Sequence, residues 1–166
     1  MIRIEATAWQ VMLSHARSAY PKECCGILLG VELEGGERLV TSAFASRNAY
    51  EGDQSDRFLI DPRDQVKANL KSRAEGIDIL GFFHSHPDCD AYFSATDLKN
   101  SWPWYSNVVL SIRGGELADA KAFRANEDQS QSEYEKLVYE PAVSDSEEDH
   151  LLDDKVGISA EFEAAG

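Results

Sequence analysis

Hydrophobic and polar positions in the first part of the chain repeat with two different periods. Residues 7–20 place their apolar side chains at helical spacing and Pro21 follows directly, so an amphipathic helix is predicted there. Residues 24–33 form a nearly continuous apolar run, and residues 37–46 follow after a Glu-Gly-Gly segment. This pair is typical of a β-hairpin whose first strand is buried.

A second set of elements follows a polar loop over residues 47–56. Asp61 and Pro62 are residues that favour the N-cap and first turn of a helix, and Gly76 is a typical terminator, so a helix is predicted between them. The remaining predictions are a buried strand over 77–84, a short helix that begins near Ser94, and a second hairpin over 107–112 and 117–124.

The formal net charge of −14 is concentrated at one end of the chain. Residues 126–166 contain 13 Asp and Glu against 2 Lys, whereas residues 1–125 contain 17 acidic against 14 basic residues. Because the periodic pattern also stops near residue 125, one domain over 1–125 is predicted. Residues 126–166 are predicted to be an acidic tail that is largely disordered or loosely docked.

Composition excludes several classes of partner and suggests a compartment. No basic stripe is present to replace counterions on phosphates, so neither nucleic acid nor an anionic membrane is an expected partner. No apolar run approaches the roughly 20 residues that cross a bilayer. Cys24, Cys25 and Cys89 are an odd number without disulfide-framework spacing, which favours a reducing compartment, and the cytoplasm is predicted.

The stretch "FFHSHPDCDAYFSATD", residues 82–97, contains the candidate chemistry. Residues i and i+2 of a strand point to the same side, so His84 and His86 are predicted to present two imidazoles in one direction. Pro87 cannot donate to a sheet ladder, and it therefore places both rings at a strand end that faces a loop. Active-site groups are commonly held in such places.

Two interpretations of the following Ser-x-x-Asp segment remain open at this point. Ser94 and Asp97 have the spacing of a capping box, in which the two side chains satisfy the first backbone N–H groups of a helix. Alternatively, Asp97 turns its carboxylate toward His84 and His86. Two imidazoles, one carboxylate and a water complete a tetrahedral catalytic zinc site.

Glu23 is the candidate proton carrier for such a site. It stands directly before the buried run "CCGILLG", where a carboxylate could face a cleft, although a solvated charge after Pro21 is the simpler interpretation. Together, "PKECCGILLG" and "GFFHSHPDCDAYFSATD" resemble the JAMM motif of the MPN+ zinc metalloproteases, in their compact prokaryotic form. The resemblance covers residues 1 to about 125.

The resemblance implies a fold, a cofactor and roles for individual residues. The implied fold is an α/β mixed sheet flanked by helices, similar to the cytidine deaminases, without implying deamination. His84, His86 and Asp97 would bind one zinc ion per chain. Glu23 would act as general base and general acid, and Ser94 would donate a hydrogen bond to the oxyanion. The implied substrate is the C-terminal tail of a ubiquitin-like or sulfur-carrier protein.

Other hypotheses remain beside the hydrolase. Relatives of this fold with incomplete ligand sets serve as non-catalytic scaffolds or interaction modules, and the filled motif disfavours that alternative here. The acidic tail could dock over the cleft as a pseudo-substrate. The sequence leaves open whether the chain pairs with itself.

Overall fold

The computed structural model describes residues 1–140 of the 166-residue chain. The first half contains β1 (Ile2–Ile4), α1 (Ala6–Ala19), β2 (Cys25–Glu32), β3 (Arg38–Ser46) and α2 (Pro62–Glu75). The second half contains β4 (Asp78–Pro87), α3 (Ala95–Asn100), β5 (Ser106–Arg113), β6 (Glu116–Ala125), β7 (Ser132–Glu135) and β8 (Leu137–Tyr139).

Within residues 1–140 the strands form one mixed sheet, in the order β7-β6-β5-β4-β2-β3-β1-β8. β2 pairs antiparallel with both β3 and β4, whereas β4 and β5 run parallel. The predicted class, an α/β mixed sheet with flanking helices, is therefore confirmed. In this part of the chain no helix is both long enough and apolar enough to cross a membrane.

The main hydrophobic core lies between α1 and the sheet. Trp9 and Met12 of α1 are buried against apolar side chains of the central strands, among them Leu28, Phe83 and Leu110. This is the face that the helical spacing of residues 7–20 predicts. The core fixes α1 across the sheet and leaves the ends of β2 and β4 free to carry polar groups.

The sheet extends past the domain end that the sequence predicts near residue 125. Residues 132–135 pair antiparallel with β6, and residues 137–139 pair in parallel with β1 at the opposite edge. Trp9 also stacks on Tyr139, with ring centroids 4.0 Å apart. Residues 132–135 and 137–139 therefore belong to the sheet rather than to a tail, and residues 141–166 lie outside the described part.

Candidate metal centre

The two histidines of the central motif lie at the end of β4. His84 and His86 are both buried, and their Nε2 atoms are 3.1 Å apart. β4 pairs with β2 as far as His84 on one side and with β5 as far as Pro87 on the other. The strand periodicity therefore places both imidazoles on one side, as the sequence predicts.

Asp97 faces these histidines from the first turn of α3. Its Oδ2 atom lies 3.3 Å from Nε2 of His84 and 3.5 Å from Nε2 of His86. The same oxygen accepts the backbone N–H of Ser94 at 2.9 Å, and the Ser94 hydroxyl accepts the N–H of Asp97 at 3.0 Å. The capping box and the position beside the histidines are both realised, because one carboxylate oxygen serves both.

The three converging atoms have the spacing of a tetrahedral cation site. Ligands about 2.0–2.2 Å from a tetrahedral zinc ion lie roughly 3.3 Å from one another. The three separations here are 3.1, 3.3 and 3.5 Å. His84, His86 and Asp97 are also a group whose ligand atoms lie within 4.8 Å of one another. This donor set fits one zinc ion.

The hydrogen bonding of His86 also favours a cation between the three side chains, for an electrostatic reason. Its Nδ1 atom lies 3.0 Å from the backbone carbonyl oxygen of Asp90. A carbonyl only accepts, so Nδ1 carries a proton, and the neutral ring keeps a lone pair at Nε2. That lone pair faces the carboxylate of Asp97 and the ring nitrogen of His84. A proton or a metal ion between these atoms removes the repulsion.

The pKa values of these groups reflect the same convergence. Burial lowers the pKa of His84. Burial also lowers the pKa of His86, but hydrogen bonds with Asp97 and Asp90 outweigh it, and the net shift is upward. Burial raises the pKa of Asp97, but hydrogen bonds from the facing nitrogens of His84 and His86, in the states in which those nitrogens carry a proton, overcome it, so the pKa of this carboxyl lies well below its usual range. The carboxylate is therefore ionised and available to a cation.

Glu23 lies beside the cluster, two residues before the start of β2. Its side chain is buried, and Oε1 is 3.9 Å from Nε2 of His86. Burial raises the pKa of Glu23 to about 8, although the nearby His86 opposes this shift. The solvated-charge interpretation of this residue is therefore wrong. A carboxyl group with a pKa near neutrality, close to a cation site, can both take up and release a proton.

Ser94 and Glu23 line one small cavity beside the cluster. Its volume is about 120 Å³, and His86 and Tyr92 also contribute to its wall. The Ser94 hydroxyl accepts a hydrogen bond from Asp97, and its own hydrogen remains available for donation. A larger cavity of about 660 Å³ is lined by His84 and Asp97, and the two cavities share Glu23 and Asp97 in their walls. Both cavities therefore border the cluster.

Several neighbours of the site do not emerge from the sequence. Phe58 stacks on His84 with ring centroids 4.6 Å apart, and Tyr92 lies 4.9 Å from His86. Asn48 donates to the carbonyl of Glu23 and accepts from the N–H of Leu59, so it ties the polar loop to the start of β2. The sequence features that could have pointed to these neighbours are the Phe in "RFLI" and the Asn that follows an apolar strand.

Comparison with known proteins gives one consistent result. Residues 5–126 match the family described as prokaryotic homologs of the JAB domain. A desampylase from Haloferax volcanii is 34% identical over 118 residues, which cover 68% of this chain and 82% of that protein. A CysO-cysteine peptidase from Mycobacterium bovis is 28% identical over 124 residues, which cover 73% and 80% of the two chains.

A solved structure matches over a similar length. The solution structure of a protein from Desulfitobacterium hafniense has a TM-score of 0.73 and 30% sequence identity. The match covers 87% of this chain and 96% of that chain.

Proposed function

Because this chain belongs to the family of prokaryotic JAB-domain proteins, we propose that it is a zinc-dependent hydrolase that cleaves an amide bond at the C-terminus of a ubiquitin-like or sulfur-carrier protein. The observation that carries the proposal is the convergence of Nε2 of His84, Nε2 of His86 and Oδ2 of Asp97 beside the buried carboxyl of Glu23. Two relatives, a desampylase and a CysO-cysteine peptidase, support hydrolysis at a protein substrate.

In this proposal His84, His86 and Asp97 hold the zinc ion. When bound there, zinc polarises the substrate carbonyl and lowers the pKa of water toward about 7. Glu23 takes one proton from the attacking water at its carboxylate and returns it to the nitrogen of the leaving amine. The raised pKa of Glu23 suits both steps, because a group near neutrality exchanges protons at low cost in either direction.

Ser94 stabilises the charge that develops on the substrate carbonyl oxygen. Its hydroxyl is oriented by the N–H of Asp97, which it accepts at 3.0 Å, so the O–H can be directed into the cavity. A donor that meets charge only in the transition state contributes to the rate rather than to ground-state binding. Loss of one such donor costs roughly 100-fold or more in rate.

The larger cavity supports an extended polypeptide as substrate. Aromatic side chains line much of it, including Phe58, Phe82, Phe93 and Trp102. An extended tail gains specificity from pockets for alternate side chains and affinity from its main chain. The three cysteines are free in the structure, which is consistent with a reducing compartment such as the cytoplasm.

The proposal is tested with purified full-length protein and ubiquitin-like proteins that carry a C-terminal amide fusion. We expect about one zinc per chain, cleavage detected by intact mass, and loss of cleavage with a chelator. His86→Ala should lose the metal, whereas His150→Ala, at a histidine outside the motif, should keep it. Glu23→Gln should keep the metal and lose cleavage. Cleavage that persists in metal-free protein would refute the proposal.

A further inference from the structure

The loop between β4 and α3, residues 88–93, is anchored at its first residue. The N–H of Asp88 donates to the carbonyl of Ile112 at 2.7 Å, at the end of β5. Asp88 has a positive φ of 53°, a conformation that Asp and Asn adopt more readily than most residues. The chain therefore turns sharply directly after Pro87, which is the residue that follows His86.

Both carboxylate oxygens of Asp88 are used to hold this turn. Oδ2 accepts the hydroxyl of Tyr20 at 2.7 Å, and Oδ1 accepts the N–H of Gly114 at 2.9 Å. Tyr20 caps the C-terminus of α1, and Gly114 lies in the turn between β5 and β6. One side chain thus joins the loop to two elements that are far apart in the sequence.

The loop that Asp88 holds in place contains the hydrogen-bond partner of His86. The carbonyl of Asp90 lies 3.0 Å from Nδ1 of His86, and it also accepts the N–H of Tyr92 at 2.9 Å. Arg113 contacts the same loop through the carbonyl of Asp88 and the carboxylate of Asp90. The ring orientation and tautomer of His86 consequently depend on where the loop places a single backbone oxygen.

We infer that Asp88 is a positioning residue for the cation site, because its clamp fixes the Asp90 carbonyl that orients His86. The inference rests on the proposed function, in which His86 binds zinc. The hydrogen bonds of the Asp88 side chain reach neither the cluster nor the residues that line the two cavities. Asp88 therefore acts on the site only through the loop. Removing such an outer partner of a ligating histidine typically lowers metal affinity about 10- to 100-fold.

Metal competition on the full-length protein tests the inference. Zn²⁺ is titrated against a chromophoric chelator, and Co²⁺ absorption reports the ligand geometry. Asp88→Ala should bind Zn²⁺ about 10-fold more weakly and change the Co²⁺ spectrum. Asp88→Asn should restore both, because its amide oxygen accepts from Gly114 and its amide nitrogen donates to the Tyr20 oxygen. Asp119→Ala is the control, since the hydrogen bond and ion pair of its carboxylate are with Ala120 and Lys121 on β6.

The outcomes separate this inference from the proposed function. If wild-type protein binds no Zn²⁺, the proposed function fails. If wild-type protein binds Zn²⁺ and Asp88→Ala binds it equally well, only the role of Asp88 fails. A general loss of folding is recognised from the melting temperature of the metal-free variant. Should Asp88→Ala not fold, Tyr20→Phe removes one of the two contacts, and unchanged Zn²⁺ affinity in that variant overturns the inference.

Discussion

Replacing Glu23 by Gln should remove a specific pH dependence from the stability of the metal-free protein. The pKa of Glu23 is raised from 4.5 to about 8 in the folded state, chiefly because its side chain is 5% exposed. A raised pKa means that the folded protein holds this proton more tightly than the unfolded chain. Ionising Glu23 therefore opposes folding, with no effect well below pH 4.5 and the full effect above about pH 8.

The size of the effect follows from the two pKa values. Each unit of difference corresponds to about 1.4 kcal/mol, so the full penalty above pH 8 is about 5 kcal/mol. Between roughly pH 5 and pH 8 the penalty grows by about 3 to 4 kcal/mol. That is a large fraction of a typical unfolding free energy of about 5–15 kcal/mol. Other groups titrate in this range in both proteins, and of these His86 is coupled to Glu23, because the charge of Glu23 raises the pKa of His86.

Urea unfolding of chelator-treated protein, followed by tryptophan fluorescence, measures this difference. The unfolding free energy of the wild type should fall relative to that of Glu23→Gln as the pH rises. Plotted against pH, the two free energies should diverge by about 3 to 4 kcal/mol between roughly pH 5 and pH 8. Glu34→Gln, in the exposed turn between β2 and β3, is the matched control and should run parallel to the wild type. Parallel curves for Glu23→Gln would show that the carboxyl is solvated, and its proposed role as proton carrier would lose its physical basis.

Two further predictions concern the elements that carry the site. Asp97→Asn keeps an oxygen that caps α3 but loses the charge, so Zn²⁺ affinity measured by competition should fall by at least about 10- to 100-fold, the loss that even an outer partner of a ligand causes. Ser94→Ala removes the cap and should cost about 1 kcal/mol of stability. Equal Zn²⁺ affinity in Asp97→Asn and the wild type would contradict this assignment. In Gly81→Ala the new Cβ would lie 1.9 Å from the carbonyl oxygen of Ser106, so β4 and β5 must separate, and urea unfolding should show a loss of at least about 3 kcal/mol. Gly76→Ala, with no atom within 4 Å, should cost only about 1 kcal/mol, and equal losses in the two variants would refute the steric explanation.

Local patterns were sufficient to predict most elements of the fold. α1, the two hairpins, α2 and α3 were visible because periodicity, Pro21, the Asp61-Pro62 pair and Gly76 are signals that lie within each segment. β7 and β8 were missed because they have only 4 and 3 residues and lie in an acidic stretch. Their stability comes from β6 and β1, and the partner β1 lies more than a hundred residues away in the sequence.

The site, like the fold, could be predicted only where the signal lies within one segment of the sequence. The Ser94-Asp97 capping box and the common direction of His84 and His86 depend on spacing within one segment, and the structure contains both. The carbonyl of Asp90 could not be foreseen, because a backbone oxygen leaves no mark on the sequence. Its contact with His86 depends on how the loop folds, and the loop depends on side chains from α1 and the β5–β6 turn.

The position of Glu23 beside His86 is a consequence of strand register. β2 and β4 are antiparallel, and Cys25 is paired with His84. Continuing that ladder by two residues brings Glu23 opposite His86, where cross-strand side chains are direct neighbours. The backbone bond from Ser85 to Cys24 carries the pairing in that direction. A slip of one residue would turn the Glu23 side chain to the other face of the sheet. The contact between two motif segments some sixty residues apart therefore depends on the register in which β2 and β4 pair in the sheet.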